Sequence, residues 1–175
     1  MYFAAFPDIL YDSVGNGDSK VVTNLLRRVA IRAKVKENTL VFDTYDVKEG
    51  ETPEIIADKL YGDPELHWVI LFMNNVTDRY SQWPRNQNQF LAHVNDKYDD
   101  VNALHHYEIT QTSGDTSIKI NIGQDNTSHA GATEVTNYDY EFNLENDKRK
   151  IRLLDPAFID GFVSEFQSLM GESDI

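Results

Sequence analysis

Apolar residues recur at helical spacing in two consecutive segments between residues 52 and 73. Thr52-Pro53 is a start signal for the first segment, because threonine caps helix N-termini and proline suits the first helical position. Gly62 predicts a left-handed end for that helix, and Asp63-Pro64 repeats the start signal for a second one. The two apolar stripes are Ile55, Ile56 and Leu60, then Leu66, Val69, Ile70 and Met73. The pattern therefore predicts two short amphipathic helices in succession.

The residues before these helices alternate apolar and polar side chains. Leu40 to Val47 is rich in β-branched and aromatic residues and predicts a strand. Lys48-Glu49-Gly50-Glu51 predicts a turn that leads from this strand into the first helix. A strand followed by two amphipathic helices predicts a small α+β core.

Both ends of the chain are apolar and predict further packed elements. Residues 1–18 form an apolar arm that ends in a Gly-Asn-Gly-Asp turn and packs either on its own core or on a neighbour. Residues 19–36 are predicted to form a helix, although Ile31 to Val35 also alternates like a strand. Asp155-Pro156 predicts the start of a last helix with a wide apolar stripe.

The region between the core and the last helix changes from helical to strand-like patterns. Residues 86–98 predict a third helix, and a weak strand follows at residues 107–110. Ser113-Gly114-Asp115 predicts a hairpin turn before a strand that carries Ile118, Ile120 and Ile122. Residues 123–137 predict a long exposed loop, and alternation at residues 138–153 predicts a second hairpin.

These patterns predict an α+β fold in four segments. Residues 1–38 are the N-terminal arm and helix, and residues 39–100 hold the core with the helix that follows it. Residues 101–154 form a small antiparallel β region with a long loop, and residues 155–175 form the C-terminal helix.

Composition removes several function classes. The formal net charge of −13 disfavours binding to nucleic acid. The absence of cysteine excludes disulfides and thiolate metal sites. No uncharged apolar run approaches the roughly 20 residues of a membrane span, so no membrane partner is predicted.

Candidate catalytic patterns are weak, so no enzyme activity, metal or cofactor is predicted. The chain has no Gly-x-Ser-x-Gly turn and no glycine-rich phosphate loop. Glu51 and Glu54 could imitate a glycosidase pair, but a helix N-terminus explains both carboxylates better. His105 and His106 are adjacent on a predicted strand, where neighbouring side chains point to opposite faces.

The order of strand, turn, helix, glycine, helix and Asn74-Asn75 resembles a LysM module, a small βααβ unit that binds sugar chains or protein surfaces. In that fold the ligand lies between two loops, which correspond here to Gly50, Glu51 and Thr52 and to Asn74, Asn75 and Val76. Backbone amides and asparagine side chains could bind a sugar amide or an extended peptide. The alternative is that these residues only form turns and helix caps.

The whole chain resembles the wedge protein 53 family, the LysM-like baseplate wedge subunits of T-even-like contractile-tailed phages. The motifs that carry the resemblance occur in the family's order: Phe6-Pro7-Asp8, Asn24-Leu25-Leu26-Arg27-Arg28, Pro53-Glu54-Ile55-Ile56-Ala57, Leu60-Tyr61-Gly62, Trp68-Val69-Ile70-Leu71, Met73-Asn74-Asn75 and Leu144-Glu145-Asn146-Asp147-Lys148-Arg149.

The resemblance implies a structural virion protein of the tail baseplate that is assembled in the host cytoplasm. Its implied role is to join neighbouring wedges around the tail hub, and its implied partners are other wedge-core subunits, neighbouring wedges, and inner baseplate or hub proteins. Residues 76–84 lack the alternation of a second LysM strand, which favours a protein clamp over a sugar groove. A LysM module that binds peptidoglycan or another glycan is the alternative function.

Overall fold

The computed structural model describes residues 2–30, 40–129 and 131–171. The strands of these residues are β1 (Asp8–Tyr11), β2 (Lys20–Thr23), β3 (Phe42–Asp46), β4 (Leu104–Thr110), β5 (Lys119–Gly123), β6 (Thr133–Thr136) and β7 (Lys150–Leu154). The helices are α1 (Pro53–Tyr61), α2 (His67–Met73), α3 (Arg79–Gln82), α4 (Gln87–Lys97), α5 (Asn137–Arg149) and α6 (Ile159–Gly171). Short 3-10 turns lie at Tyr2–Ala5, Pro64–Leu66 and Pro156–Phe158.

Helices and strands are mixed along the chain, so the predicted α+β class is confirmed. The chain divides into two compact units. Unit 1 comprises Met1–Asp46, Glu51–Gln82 and Ile151–Ile175. Unit 2 comprises Val47–Gly50 and Trp83–Lys150. Along the sequence, unit 2 therefore interrupts unit 1.

Strands β3 and β7 form a two-stranded sheet. The amide of Asp155 donates to the carbonyl of Val41 at 3.0 Å, and the amide of Val47 donates to the carbonyl of Arg149 at 2.9 Å. From the first bond to the second, the residue number increases from Val41 to Val47 on one segment and decreases from Asp155 to Arg149 on the other. The two strands are therefore antiparallel. Strand β3, helices α1 and α2, and strand β7 follow a strand–helix–helix–strand order, with the short helix α3 and most of unit 2 between α2 and β7.

The core of unit 1 is an aromatic cluster between α2 and α6. Trp68 lies with its ring centroid 4.6 Å from that of Phe166 and 5.9 Å from that of Phe162. Phe72 completes the group, at 6.2 Å from both phenylalanines. Other buried members of the cluster are Val69, Met73, Leu154, Ile159 and Met170. The wide apolar stripe predicted for the last helix therefore packs within unit 1.

The predicted N-terminal helix is wrong over the described residues 19–30. Strand β2 pairs antiparallel with β1, with Asp8 opposite Thr23 and Tyr11 opposite Lys20. Val21, Val22 and Thr23 are β-branched and favour an extended backbone when a partner strand is present. The remaining predicted residues, 31–36, lie outside the described ranges. The predicted Gly-Asn-Gly-Asp turn lies in the loop between the two strands.

Unit 2 contains the three-stranded sheet β5-β4-β6, in which both pairings are antiparallel. The hairpin predicted around Gly114 joins β4 to β5 and is confirmed. Helix α4 begins after Asn86, which forms a capping box with Gln89, and this third predicted helix is confirmed. Phe90 of α4 contacts Tyr138 and Phe142 of α5 at ring distances of 5.5 and 6.1 Å.

The predicted hairpin over residues 138–153 is wrong, because residues 137–149 form helix α5. Thr136 and Asp139 make a capping box at its start. Tyr138 and Phe142, which alternate in sequence, are also one helical turn apart and stack at 6.1 Å. The predicted loop over residues 123–137 is likewise shortened, since β6 occupies its end. The strand predicted around Ile151 is confirmed as β7.

Candidate protein-contact site

Glu51 and Thr52, at the start of α1, are engaged by residues of unit 1. The Tyr45 hydroxyl donates to one oxygen of Glu51 at 2.8 Å, and Lys59 Nζ donates to the other at 2.5 Å. Glu51 is only 8% exposed. The pKa of the Tyr45 phenol is raised, first by the burial of Tyr45 and then by its hydrogen bond with Glu51. The Thr52 hydroxyl accepts from the Ile55 amide at 3.4 Å and caps the helix as predicted. These interactions explain both residues as helix-start chemistry.

Gly50, which unit 2 contains, has a φ of 76°. A side chain would strain this left-handed backbone, so the turn itself explains the glycine. The predicted site residues of the first loop therefore fall on both sides of a unit boundary, with Glu51 and Thr52 in unit 1.

Asn74 attaches the end of α2 to strand β7. Its Nδ2 donates to the carbonyls of Ile70 and Arg152, both at 2.8 Å, and its Oδ1 accepts from the Arg152 amide at 2.8 Å. The side-chain amide therefore exchanges two hydrogen bonds with the Arg152 backbone, as a residue of a neighbouring strand would.

Asn75 and Val76 terminate α2 in a Schellman motif. The amide of Asn75 donates to Phe72 at 3.3 Å, and that of Val76 donates to Leu71 at 2.9 Å. Asn75 has a φ of 55°, a left-handed conformation that asparagine tolerates better than most residues. Asn75 is exposed, whereas Asn74 and Val76 are partly buried.

Two residues of unit 1, each just beyond one of the two loops, are joined by an ion pair. Arg79 Nη1 lies 2.8 Å from Glu54 Oε1. Burial by itself would raise the pKa of Glu54, but hydrogen bonds from the Thr52 hydroxyl and the backbone, together with Arg79, lower it overall. Glu51 and Glu54 are thus both ion-paired, an arrangement that favours structural over acid–base roles.

Unit 2 holds buried charges that the sequence patterns did not indicate. On α5, Glu141 accepts from Lys97 at 2.6 Å and from the Tyr98 hydroxyl at 2.9 Å. One turn later, Glu145 accepts from the backbone amide of Arg85 and lies 3.1 Å from its guanidinium. The capping box at Thr136 is the sequence signal that could have indicated these buried glutamates. It predicts a helix, on which Glu141 and Glu145 share one face.

His105 and His106 lie on the same side of β4, contrary to the expectation for adjacent strand residues. The register shifts between Leu104 and His106, and the two Nδ1 atoms are 2.8 Å apart. The His105 ring stacks on Tyr140 at 3.9 Å, and His106 Nε2 lies 3.1 Å from Glu108. Within the described ranges, no three His, Asp or Glu side chains converge as a metal site.

The sequence of the chain is similar to those of known proteins. The family model for Base plate wedge protein 53 matches residues 1–127. The chain belongs to this family. It is also similar to Baseplate wedge protein gp53 of Enterobacteria phage T4, at 26% identity over 151 residues that cover 74% of each chain.

Membership of the wedge protein 53 family confirms the resemblance and supports a structural role in a phage tail baseplate. It also implies association with other baseplate proteins. The matched range of this wedge protein includes both candidate loops, whereas α5, β7 and α6 follow it. Among the described residues, no helix is both long enough and apolar enough to span a bilayer.

Replacing Asn74 with alanine in this wedge protein is expected to lower the free energy of unfolding by about 1–3 kcal/mol. The variant loses three hydrogen bonds and leaves the Arg152 amide and carbonyl without their side-chain partner. Urea denaturation followed by circular dichroism measures the loss. Asn88→Ala is the control, because Asn88 is exposed and its replacement should change the free energy of unfolding by no more than about 0.5 kcal/mol. Equal midpoints for both variants would contradict the role of Asn74.

Acidification is expected to destabilise unit 2 through His105. Burial, followed by the nearby charge of His106, lowers the pKa of His105, while Glu141 raises it and Lys97 lowers it further. A histidine whose pKa is lower in the folded state contributes its full stabilisation at a pH above its unfolded-state pKa of about 6.5. That stabilisation is lost as the pH falls towards the folded-state pKa.

As the pH decreases below about 6.5, we therefore expect His105 to lower the free energy of unfolding by at most about 1.4 kcal/mol per pH unit. His105→Phe keeps a ring against Tyr140 but cannot titrate, so it should flatten the profile measured by urea denaturation across pH. His129→Phe is the control on an exposed loop residue and should retain the native slope. A slope that His105→Phe leaves unchanged would exclude His105 as its source.

Proposed function

We propose that this chain joins neighbouring wedge subunits around the tail hub of a phage baseplate, through protein–protein contacts and without catalysis. The proposal includes other wedge-core subunits, neighbouring wedges, and inner baseplate or hub proteins as partners, and assembly in the host cytoplasm. Family membership provides the baseplate setting. The strand–helix–helix–strand order of unit 1 supports a LysM-like module as the contact element.

The proposal rests on one observation: polar side chains at the two loops already form hydrogen bonds within the protein. Glu51 is bonded to Tyr45 and Lys59, and Asn74 makes three hydrogen bonds within unit 1. A sugar site needs several polar side chains directed towards the ligand. Because these side chains are hydrogen-bonded within unit 1, they favour contact with a protein surface over recognition of a glycan.

Exposed apolar side chains near the N-terminus give unit 1 a surface suited to such contacts. In and after the β1–β2 hairpin, large apolar residues stand in solvent: Leu10, Tyr11, Val14, Val21, Leu25 and Leu26. Leu26 is 88% exposed, and Arg28 beside it is also exposed. Large apolar side chains that one segment leaves exposed suit an interface with another protein. At the start of the predicted arm, Ala5 and Phe6 pack against the core of unit 1. The exposed apolar residues that follow them offer a surface to a neighbouring subunit.

Sedimentation of the full chain with the other wedge proteins of its phage tests the proposal. The native chain should produce a faster-sedimenting complex that does not form without it. Leu26→Asp should weaken that complex at least tenfold, because a carboxylate is costly to bury in an apolar interface. Asn88→Asp, on the exposed face of α4, makes the same change in charge and should assemble normally.

Unchanged sedimentation of the wedge proteins when the chain is added would overturn the proposal. The glycan-binding alternative makes the opposite prediction for insoluble peptidoglycan, which should then retain the native chain and release an Asn75→Val variant. Flow-through of both chains would reject that alternative.

A further inference from the structure

Strand β5 lies at one edge of the sheet in unit 2, where its outer side faces no other strand of the described residues. Its inner side pairs with β4, with Ile109 opposite Ile120 and Thr110 opposite Lys119. An edge strand presents unpaired backbone donors and acceptors, which make it a template for another extended chain.

The register identifies the outward-facing backbone groups. The Gln111 amide donates to the Ile118 carbonyl at 3.0 Å, so this opposed pair is hydrogen-bonded. Hydrogen-bonded and non-hydrogen-bonded pairs alternate along an antiparallel ladder, which makes Ile109–Ile120 the next bonded pair. The amides and carbonyls of Lys119 and Asn121 therefore point away from β4, towards the open edge.

The side chains of β5 suit a partner strand. Ile118, directly before β5, and Ile120 within it lie on one face and are 46% and 41% exposed. The Lys119 side chain extends towards β4 and not towards the open edge, because its Nζ donates to the hydroxyl of Thr110 on β4 at 2.8 Å. Between Asp115 and Asp125 there is no acidic residue. The edge consequently combines free backbone groups with an apolar row and little charge of its own.

Carboxylates flank this uncharged row on both sides. Asp115 accepts from Ser117, and Asp125 accepts from the Thr127 amide. These hydrogen bonds lower the pKa of each carboxyl, so both remain ionised at neutral pH. A partner with basic residues beyond its apolar segment complements this arrangement. A second copy of the chain does not, because two chains of net charge −13 repel each other.

We propose that β5 binds an extended segment of a partner protein by strand addition, with apolar residues at alternate positions and basic residues at both ends. The partner's backbone pairs with Lys119 and Asn121, and its alternate side chains extend the isoleucine row. This contact lies in unit 2 and uses none of the loops or hairpin residues of the proposed function, so either proposal can fail without the other.

Amide hydrogen exchange on the full, isotope-labelled chain tests the proposal. The probe is a nine-residue synthetic peptide with lysine at each end and valine alternating with threonine between them. We expect a dissociation constant below about 1 mM and at least tenfold slower exchange at Lys119 and Asn121. The same peptide, N-methylated at alternate residues, loses the donors for strand pairing and should not bind.

A matched pair of variants tests the backbone directly. Asn121→Pro removes the outward amide without touching a bond to β4, and we expect at least tenfold weaker peptide binding. Asn121→Ala keeps the amide and should bind as the native chain does. If the proline variant does not fold, the N-methylated peptide decides the question.

Three outcomes would overturn strand addition by a partner segment. One is no binding at millimolar peptide, and another is equal binding of the N-methylated peptide. The third is concentration-dependent protection of Lys119 and Asn121 without any peptide, which would assign the edge to a second copy of the chain.

Discussion

Replacement of Trp68 with alanine is expected to lower the free energy of unfolding by about 3–5 kcal/mol, the largest effect of any apolar substitution in unit 1. Trp68 is 9% exposed and lies in the centre of the cluster formed with Phe72, Phe162 and Phe166. Truncation removes the burial of a large ring and three aromatic contacts, and it leaves a cavity that the surrounding helices fill only in part.

Urea denaturation monitored by circular dichroism at 222 nm measures this loss as a lower midpoint. Tyr80→Ala is the matched control, since Tyr80 is an aromatic residue that is 92% exposed, and its removal should change stability by no more than about 0.5 kcal/mol. Trp68→Phe should fall between the two because it retains part of the ring contacts. A Trp68→Ala midpoint equal to that of Tyr80→Ala would contradict the position of Trp68 at the centre of the core.

The elements that the sequence predicts well are those fixed by local signals. Helix α1 begins after Thr52 and ends at Gly62, because a hydroxyl cap, a proline and a left-handed glycine all act within the segment itself. The same holds for α4, for the β4–β5 hairpin and for the start of the last helix. In each case the chemistry that sets the boundary lies within a few residues of it.

The errors occur where a distant partner or a competing signal decides the conformation. Residues 20–23 have a pattern that suits either a helix or a strand, and pairing with β1 selects the strand. In α5 the alternation of Tyr138, Tyr140 and Phe142 matches a strand, but the Thr136–Asp139 capping box and the two inward glutamates select a helix. Alternation over so few residues cannot separate the two periods.

The candidate site shows the same division. Gly50, Thr52, Asn75 and Val76 occupy the turns and caps that their residue types predict. The role of Asn74 could not be predicted, because its partner Arg152 is far away in sequence and returns to unit 1 only after unit 2. A binding role for the two loops stays a prediction.

Replacement of Glu145 with alanine is expected to cost about 3–5 kcal/mol, because it leaves buried cationic and amide donors without their acceptor. Glu145 is 5% exposed and accepts from the Arg85 backbone amide, while its second oxygen lies 3.1 Å from the Arg85 guanidinium and 3.2 Å from Lys148 Nζ. A glutamine at this position keeps one acceptor for the Arg85 amide but loses the ion pairs. Glu145→Gln should therefore unfold at an intermediate urea concentration.

Asp147→Ala is the matched control on the same helix. Asp147 pairs with Lys150 three residues later at 2.9 Å, but both side chains are 72% exposed, so removal of the pair should cost at most about 1 kcal/mol. The two variants delete one carboxylate each from α5 and differ chiefly in burial, so their difference in unfolding free energy isolates the effect of the desolvated site. Similar losses for both would show that the Arg85–Glu145 contact is solvated in solution, and the buried network of α5 would then carry little of the stability of unit 2.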